Sequence, residues 1–290
     1  MPPAAPDLLI VGPVTWDRFG SERRPGGAVL FAARVATSMG VRAAILIAAG
    51  PDADRSALEG HEVRIVPATS TLTFEHRTTS NTRELRVIEP TGARPRLTAS
   101  DVPPEWLQVA DVILAPLLPD DLDVTSFLGS SERLALLAQG LQRWIADGGL
   151  VEHVQSPSDA LSQMITHECS VFLSDAEVST WSGEALRQLV LSPGRVVVTR
   201  GRRGATVYRG GLRFEVPASP AEVVDTTGAG DVFATAFILA VSVLGLDDLE
   251  AARLASAYAA ASVEQVGPAP LPPLSEIKRR AGRAAGSIGA

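Results

Sequence analysis

Apolar runs without a polar interruption are the strongest constraint in this chain, because a strand that shows water neither face must be covered on both. Such runs fall at Asp7–Gly12 (D-L-L-I-V-G), Arg42–Ala49 (R-A-A-I-L-I-A-A), Asp111–Leu117 (D-V-I-L-A-P-L), Cys169–Leu173 and Arg195–Thr199 (R-V-V-V-T). A helical period fills Gly26–Gly40 and opens on a glycine pair. Buried strands separated by helices predict an α/β protein, a parallel sheet between helical layers. The last third changes character. Val232–Leu244 is apolar all round and predicts a buried helix, with an Ala-rich helix over Asp248–Val263 packed nearby.

Two stretches break that alternation. Thr69–Thr98 holds T-S-T-L-T-F-E-H-R-T, a polar S-N-T-R, and E-L-R-V-I-E-P, the pattern of two alternating strands around a turn. Pro13–Pro25 lies beside the first buried strand and offers another. The economical arrangement is a small β-sheet projecting from the α/β body, built from about 13–25 and 69–98 and able to close as a lid over a ligand. An ordinary surface hairpin fits the same residues. Arg133–Gly149 (R-L-A-L-L-A-Q-G-L-Q-R-W-I-A-D-G-G) reads either as a helix or as a strand entering a loop, and residues 279–290 read as a frayed tail. With no internal repeat or linker, residues 1–290 are expected to form a single domain.

Several function classes recede on charge and composition. The net charge of −7 argues against a nucleic-acid partner, which needs a clustered excess of Lys and Arg. Val232–Leu246, the longest apolar stretch, is too short for the ~20 residues of a membrane crossing. A single cysteine, Cys169, excludes an intrachain disulfide, and a cytoplasmic location is expected. The four histidines (His61, His76, His153, His167) lack metal-ligand spacing. Trp106, Trp144 and Trp181 read as packing residues.

The chemistry gathers at Val223–Ile238, V-V-D-T-T-G-A-G-D-V-F-A-T-A-F-I. A strand-like start leads through a Thr/Gly turn into a helix beginning at about Gly230. Backbone N–H groups of Gly228, Ala229 and Gly230 would leave that helix start unpaired and form an anion hole at the positive end of its dipole. A carboxylate is badly placed there for holding an anion. It makes sense if Asp231 is a general base that takes a proton from an alcohol while the amides stabilise a transferring phosphoryl group. Read blandly, the same residues are a capped helix start. No G-x-x-x-x-G-K-[ST] is present, and G-P-V-T-W-D stands where a dinucleotide fold would carry G-x-G-x-x-G.

D-T-T-G-A-G-D-V-F-A-T-A-F resembles the C-terminal signature of the PfkB family of ribokinase-like carbohydrate kinases. Further landmarks follow in family order: P-G-G-A-V-L-F-A-A-R-V-A-T-S-M-G (Pro25–Gly40) is similar to the glycine-pair signature, F-L-S-D-A-E (Phe172–Glu177) to N-x-x-E, and V-V-V-T-R-G-R-R-G-A (Val196–Ala205) to T-x-G-x-x-G. T-L-T-F-E-H-R, E-L-R-V-I-E-P, A-Q-G-L-Q-R and A-S-V-E-Q-V-G-P resemble the compact myo-inositol kinase-like branch. The resemblance implies a three-layer α/β/α ribokinase-like fold with a β-sheet lid, and ATP-dependent phosphorylation of a sugar or cyclitol hydroxyl. A nucleoside or vitamin-alcohol kinase, or a non-catalytic ligand-binding relative, are the alternatives.

The same resemblance distributes roles. Asp17, Gly26, Gly27, Gln139 and Arg143 would meet the acceptor; Ser174, Thr199, Gly201, Gly204 and Ser256 would meet ATP. Glu177 would orient Mg2+ through water, and Asp225 and Thr227 match positions where some relatives hold a monovalent cation such as K+. An Asn common in the family is Phe31 here, and the Asn of N-x-x-E is Ser174. From the residues alone, Asp17 is a turn residue, Arg143 a surface cation, and Ser174 with Glu177 a capping box. The exposed lid edge is expected to offer a homodimer contact.

Overall fold

A computed structural model describes residues 6–78, 83–88 and 94–286. Its strands are β1 (Leu8–Pro13), β2 (Thr15–Phe19), β3 (Glu22–Gly26), β4 (Ala43–Ala49), β5 (Glu62–Pro67), β6 (Leu72–Thr78), β7 (Arg83–Ile88), β8 (Asp111–Leu114), β9 (Arg133–Leu137), β10 (Arg143–Ile145), β11 (Val151–His153), β12 (Cys169–Ser174), β13 (Val196–Thr199), β14 (Ala205–Arg209) and β15 (Leu212–Val216). The helices are α1 (Ala28–Met39), α2 (Asp159–Met164), α3 (Asp175–Val178), α4 (Gly183–Val190), α5 (Ala229–Ser242), α6 (Asp248–Val263) and α7 (Leu274–Gly286).

The large sheet runs in the order β15-β14-β13-β12-β9-β8-β1-β4-β5. From β13 to β5 all neighbours are parallel, while β14 and β15 add an antiparallel edge. Every residue of β1 and β4 is buried. The period of two explains how. Leu8, Ile10, Ile45, Ile47, Ile113 and Val197 point to one face, where α1, α5 and α6 pack; Leu9, Val11, Leu46, Val112, Leu114 and Val196 point to the other. That second face is covered chiefly by short helices and 3-10 turns contributing Trp106, Phe127, Leu161 and Leu189, with Trp181 from the link between α3 and α4. Each such fully buried side chain contributes roughly 1.5–3 kcal/mol.

The ambiguous stretch at 133–149 resolves as a strand, β9, entering a loop. β9 lies between β8 and β12, and Leu134–Leu137 are all buried there, a two-sided demand that the helical spacing could not meet. A 3-10 turn (Ala138–Gln142) follows, then the antiparallel hairpin β10–β11. Trp144 sits on that hairpin and is 46% exposed, so it is no packing residue, whereas Trp106 and Trp181 are buried. Residues 287–290 of the expected tail lie outside the described residues, and residues 279–286 are helical. They continue α7, with Ile277 fully buried and Arg280 paired to Glu264 at 2.8 Å.

A second sheet of four strands, in the order β3-β2-β6-β7, projects beside the first. β2 pairs in parallel with β6 although α1 and β4 separate them in sequence, and the hairpins β2–β3 and β6–β7 flank that pairing. The β7 edge is bridged through Arg86 to Leu150, which leaves β3 as the other edge. The turn expected around Ser80–Thr82 lies outside the described residues.

Candidate active site

The small sheet and the carboxyl ends of the parallel strands enclose a cavity of about 1010 Å³. Ligands in open parallel sheets bind in this place, where strand ends leave loops free to converge. Leu117, Gln139, Ser174 and Thr199 line it at the ends of or just after β8, β9, β12 and β13. Thr15, Asp17, Phe74, His76 and Leu85 line it from the small sheet. The register explains this set, since Asp17 pairs with Phe74 and His76 with Leu85, all on one face.

Gly228 is the N-cap of α5 and has φ 75°, a conformation that L side chains rarely adopt. A Cβ there would lie 2.4 Å from the Phe31 ring, so the aromatic ring packs directly beneath the turn. Ala229 commits its N–H to a long 3.4 Å bond with the Thr226 carbonyl. Gly228 and Gly230 have no hydrogen-bond acceptor among the described residues, and they carry the donor capacity of this helix start.

Asp231 stands in the first turn of α5 and faces the cavity. Although the residue keeps some solvent contact through the cleft, its carboxyl is enclosed by protein. Burial pushes it up to about 7, Glu177 and Asp17 add to the rise, and Arg143 opposes it. Such a group accepts a proton near neutrality, beside amides ready for negative charge. Arg143 is buried, not a surface cation. Its Nη1 donates to the Leu117 carbonyl at 3.0 Å, its guanidinium lies 5.5 Å from the Phe74 ring centroid, and its Nε has no hydrogen-bond partner among the described residues. Burial pulls its pKa down, while Glu177, Asp231, Asp17 and Asp121 all favour the charged form. The Leu117 carbonyl is itself positioned because Asp121 accepts the amides of Leu117 and Leu118 at 3.2 and 2.7 Å.

The other residues singled out from the sequence divide. Asp17 is buried and pairs with His76 (Oδ1 to Nε2, 3.3 Å), whose ring stacks on Phe19 at 4.4 Å. Gly27 lines the cavity; Gly26 does not, but a Cβ there would come within 2.4 Å of Asp17 Oδ2, so it makes room for that carboxylate. Gly201, Gly204 and Ser256 line the cavity. Ser256 Oγ donates to the Pro217 carbonyl at 3.1 Å and accepts the Ser219 amide at 2.8 Å, fixing a loop whose Ala218–Ala221 face Ala259, Ala260 and Val263 of α6. Glu177 is 2% exposed and does not line the cavity. Its Oε2 accepts the Ser174 amide at 2.7 Å in a capping box, and burial raises its pKa against that bond and Arg143. Thr227 lines the cavity and Asp225 does not.

Sequence reasoning missed His76, His153, Phe74 and Leu85, all in the cavity wall, whereas Arg202, also in the wall, belongs to the Arg200, Arg202, Arg203 cluster that the sequence offers to a phosphorylated ligand. The period of two in T-L-T-F-E-H-R does place Phe74 and His76 on one face; nothing local marks His153 and Leu85. Among the described residues no cluster of His, Cys, Asp and Glu is built to hold a metal, and no helix is long and apolar enough to cross a membrane.

Comparison with known proteins bears on the family and the fold. An inositol 3-kinase from Zea mays is 34% identical over 130 residues, 45% of this chain and 33% of that protein. A ribokinase from Bacillus subtilis is 36% identical over 102 residues, 35% of this chain and 32% of that protein, so the matches span about a third of either relative. A cytidine kinase from Thermococcus kodakarensis is 26% identical across 81% of this chain and 88% of its own. Among solved structures, a pyrophosphate-dependent kinase in the ribokinase family, complexed with a pyrophosphate analog and myo-inositol, superposes with a TM-score of 0.76 at 19% identity, covering 94% of this chain and 99% of its own. A Ribokinase II-type protein from E. coli in complex with ATP and Mg2+ gives 0.73 at 21%, covering 96% and 99%. These two share the ribokinase-like fold. The model of the pfkB family carbohydrate kinases matches residues 17–274, and the chain belongs to that family.

Proposed function

We propose that the chain transfers the γ-phosphoryl group of ATP, taken as its Mg2+ complex, to a hydroxyl of a sugar or cyclitol acceptor of the myo-inositol type. The observation that carries this reading is the Asp231 carboxyl, set in the cavity wall in the first turn of α5 beside its glycine start, where burial raises it to about 7. The acceptor hydroxyl gives its proton to Asp231, its oxygen forms the bond to the γ-phosphorus, and the bond to the bridging oxygen breaks as ADP leaves. Amides of Gly228 and Gly230, with a weaker share from Ala229, hold the developing charge. Asp17, Gln139 and Arg143 bind acceptor hydroxyls, and Gly26 and Gly27 let the acceptor close on them. Ser174, Thr199, Gly201, Gly204 and Ser256 flank the nucleotide, with the adenine in the slot between Ala218–Ala221 and α6. Mg2+ arriving with the nucleotide would neutralise phosphate charge, and Glu177 would orient its water shell through the carboxylate oxygen that the Ser174 amide leaves free. The small sheet acts as a lid over one kinase domain, and β3 is the edge on which a homodimer would form.

A nucleoside acceptor is the second reading, favoured by Phe31 and Phe74 in the cavity wall and by the cytidine kinase matching most of the chain. Product formation by phosphorus NMR across myo-inositol, aminocyclitols, ribose, fructose and nucleosides, with ATP or pyrophosphate as donor, tests both. ATP with a cyclitol is expected to give turnover. If no acceptor raises it above the level of Asp231→Asn, the phosphotransferase reading fails; a nucleoside preference selects the second.

The titration of Asp231 gives a signed expectation. Its protonated form cannot take the hydroxyl proton, so kcat/KM is expected to rise with pH and level off above about 7. Arg143→Met removes the cation that favours the carboxylate and is expected to move that inflection up by about one unit. An unmoved inflection would separate Arg143 from Asp231.

A further inference from the structure

We propose that Arg24, carried on the small sheet, supplies the fixed positive charge behind the anion hole, in place of the monovalent cation that the family resemblance implied at Asp225 and Thr227. The carboxylate of Asp225 does not fit an ion. Its Oδ1 accepts the Thr227 amide at 2.9 Å, and its Oδ2 accepts the Gly267 amide at 3.2 Å and the Arg24 Nη1 at 3.4 Å. The Thr227 side chain lies beside the same carboxylate, so amides, a hydroxyl and a guanidinium already surround it, and a second positive charge there would face Arg24.

Arg24 is built into this place. Its Nε and Nη2 donate to the two carboxylate oxygens of Glu22 at 2.6 and 2.7 Å, leaving Nη1 for Asp225. Its guanidinium lies 4.6 Å from the Phe19 ring centroid, and Phe19 in turn stacks on His76, the partner of Asp17. Glu22 holds the guanidinium through two short bonds but is 56% exposed at its side chain, whereas Asp225 is 11% exposed, so the longer contact to Asp225 is screened less by water. An unneutralised Asp225 just ahead of Gly228 would repel a bound phosphate; a guanidinium there removes the repulsion without recruiting an ion. The pair joins positions 201 apart in sequence, and it ties the lid to the turn that presents the amides.

This inference rests on the phosphotransferase reading only in assigning the anion hole to a nucleotide phosphate. The test therefore needs no acceptor. Binding of Mg·ATP to the full chain by calorimetry, and thermal melting without nucleotide, are compared in potassium and tetramethylammonium chloride at equal ionic strength. Wild type is expected to give the same affinity and melting temperature in both salts. Arg24→Ala in tetramethylammonium is expected to bind Mg·ATP about tenfold more weakly, the loss of one charge-assisted bond, and to regain affinity and melting temperature in potassium. Arg24→Lys, which keeps a charge, is expected to stay indifferent to the salt. A wild type that responds to potassium, or an Arg24→Ala protein that does not, overturns the proposal. A chain that binds Mg·ATP as expected yet phosphorylates no acceptor would sink the phosphotransferase reading and leave Arg24 in its role.

Discussion

Asp231→Asn is expected to lower kcat by about a thousandfold, within the range that a positioned general base contributes, while the Kd for Mg·ATP stays the same or tightens. Asparagine keeps the shape of the side chain and its place in the first turn of α5, but it takes no proton from an alcohol. The substitution also removes a carboxylate from beside the phosphates, so binding is not expected to suffer. Stability supplies an independent readout. The folded pKa is raised to about 7, so the folded protein holds this proton at pH values where the unfolded chain has already released it. Linkage then makes the wild type progressively less stable as pH rises from about 4 to 7, because ionisation opposes folding. The variant has no such ionisation. It is expected to melt above wild type at pH 8 and to lose that advantage near pH 5. Equal melting at both pH values would place the titration elsewhere.

Gly228→Ala is expected to cost about a hundredfold in kcat, the scale of losing one donor to developing charge, and to weaken Mg·ATP binding as well. Two separate obstacles act. The backbone φ of 75° costs an L residue about 1–2 kcal/mol. The new Cβ would also lie 2.4 Å from the ring of Phe31, a fully packed side chain on α1, so the turn or the helix must move. A combined Phe31→Ala, Gly228→Ala protein removes the overlap and leaves the backbone cost. It is expected to recover part of the binding and little of kcat. Full recovery would mean that amide geometry is not set by this turn, and kcat titrated across the four proteins decides it.

Much of the large sheet was legible because its strands are buried on both faces, and a run such as Leu8–Val11 permits few other structures. The start of α5 was legible for a different reason. A helix entered through glycines and followed at once by a carboxylate is chemically awkward unless that carboxylate has work to do. What local pattern could not give was anything decided by a distant partner. Arg133–Gly149 has acceptable helical spacing, and only its neighbours β8 and β12 make it a strand. Arg143 reads as a surface cation until the turn at Leu117 folds over it. Glu177 and Ser174 formed the capping box that their spacing implied, and the box consumes a carboxylate oxygen that the family pattern would leave for metal-bound water. Asp225 and Arg24 lie too far apart in sequence for any motif to join them.

The small sheet's central pairing, β2 with β6, brings together two chain segments with a helix and two strands of the large sheet between them. The small sheet is therefore not a cassette. A chimera that exchanges residues up to a crossover between Gly20 and Thr71 would take Asp17 from one parent and Phe74 with His76 from the other, splitting a single cavity wall between two ancestries. Drift in one half can be tolerated only alongside compensating drift in the other. Acceptor preference in such proteins should accordingly change through coordinated substitutions at paired register positions, and successful engineering of a new acceptor will need both segments moved as a unit.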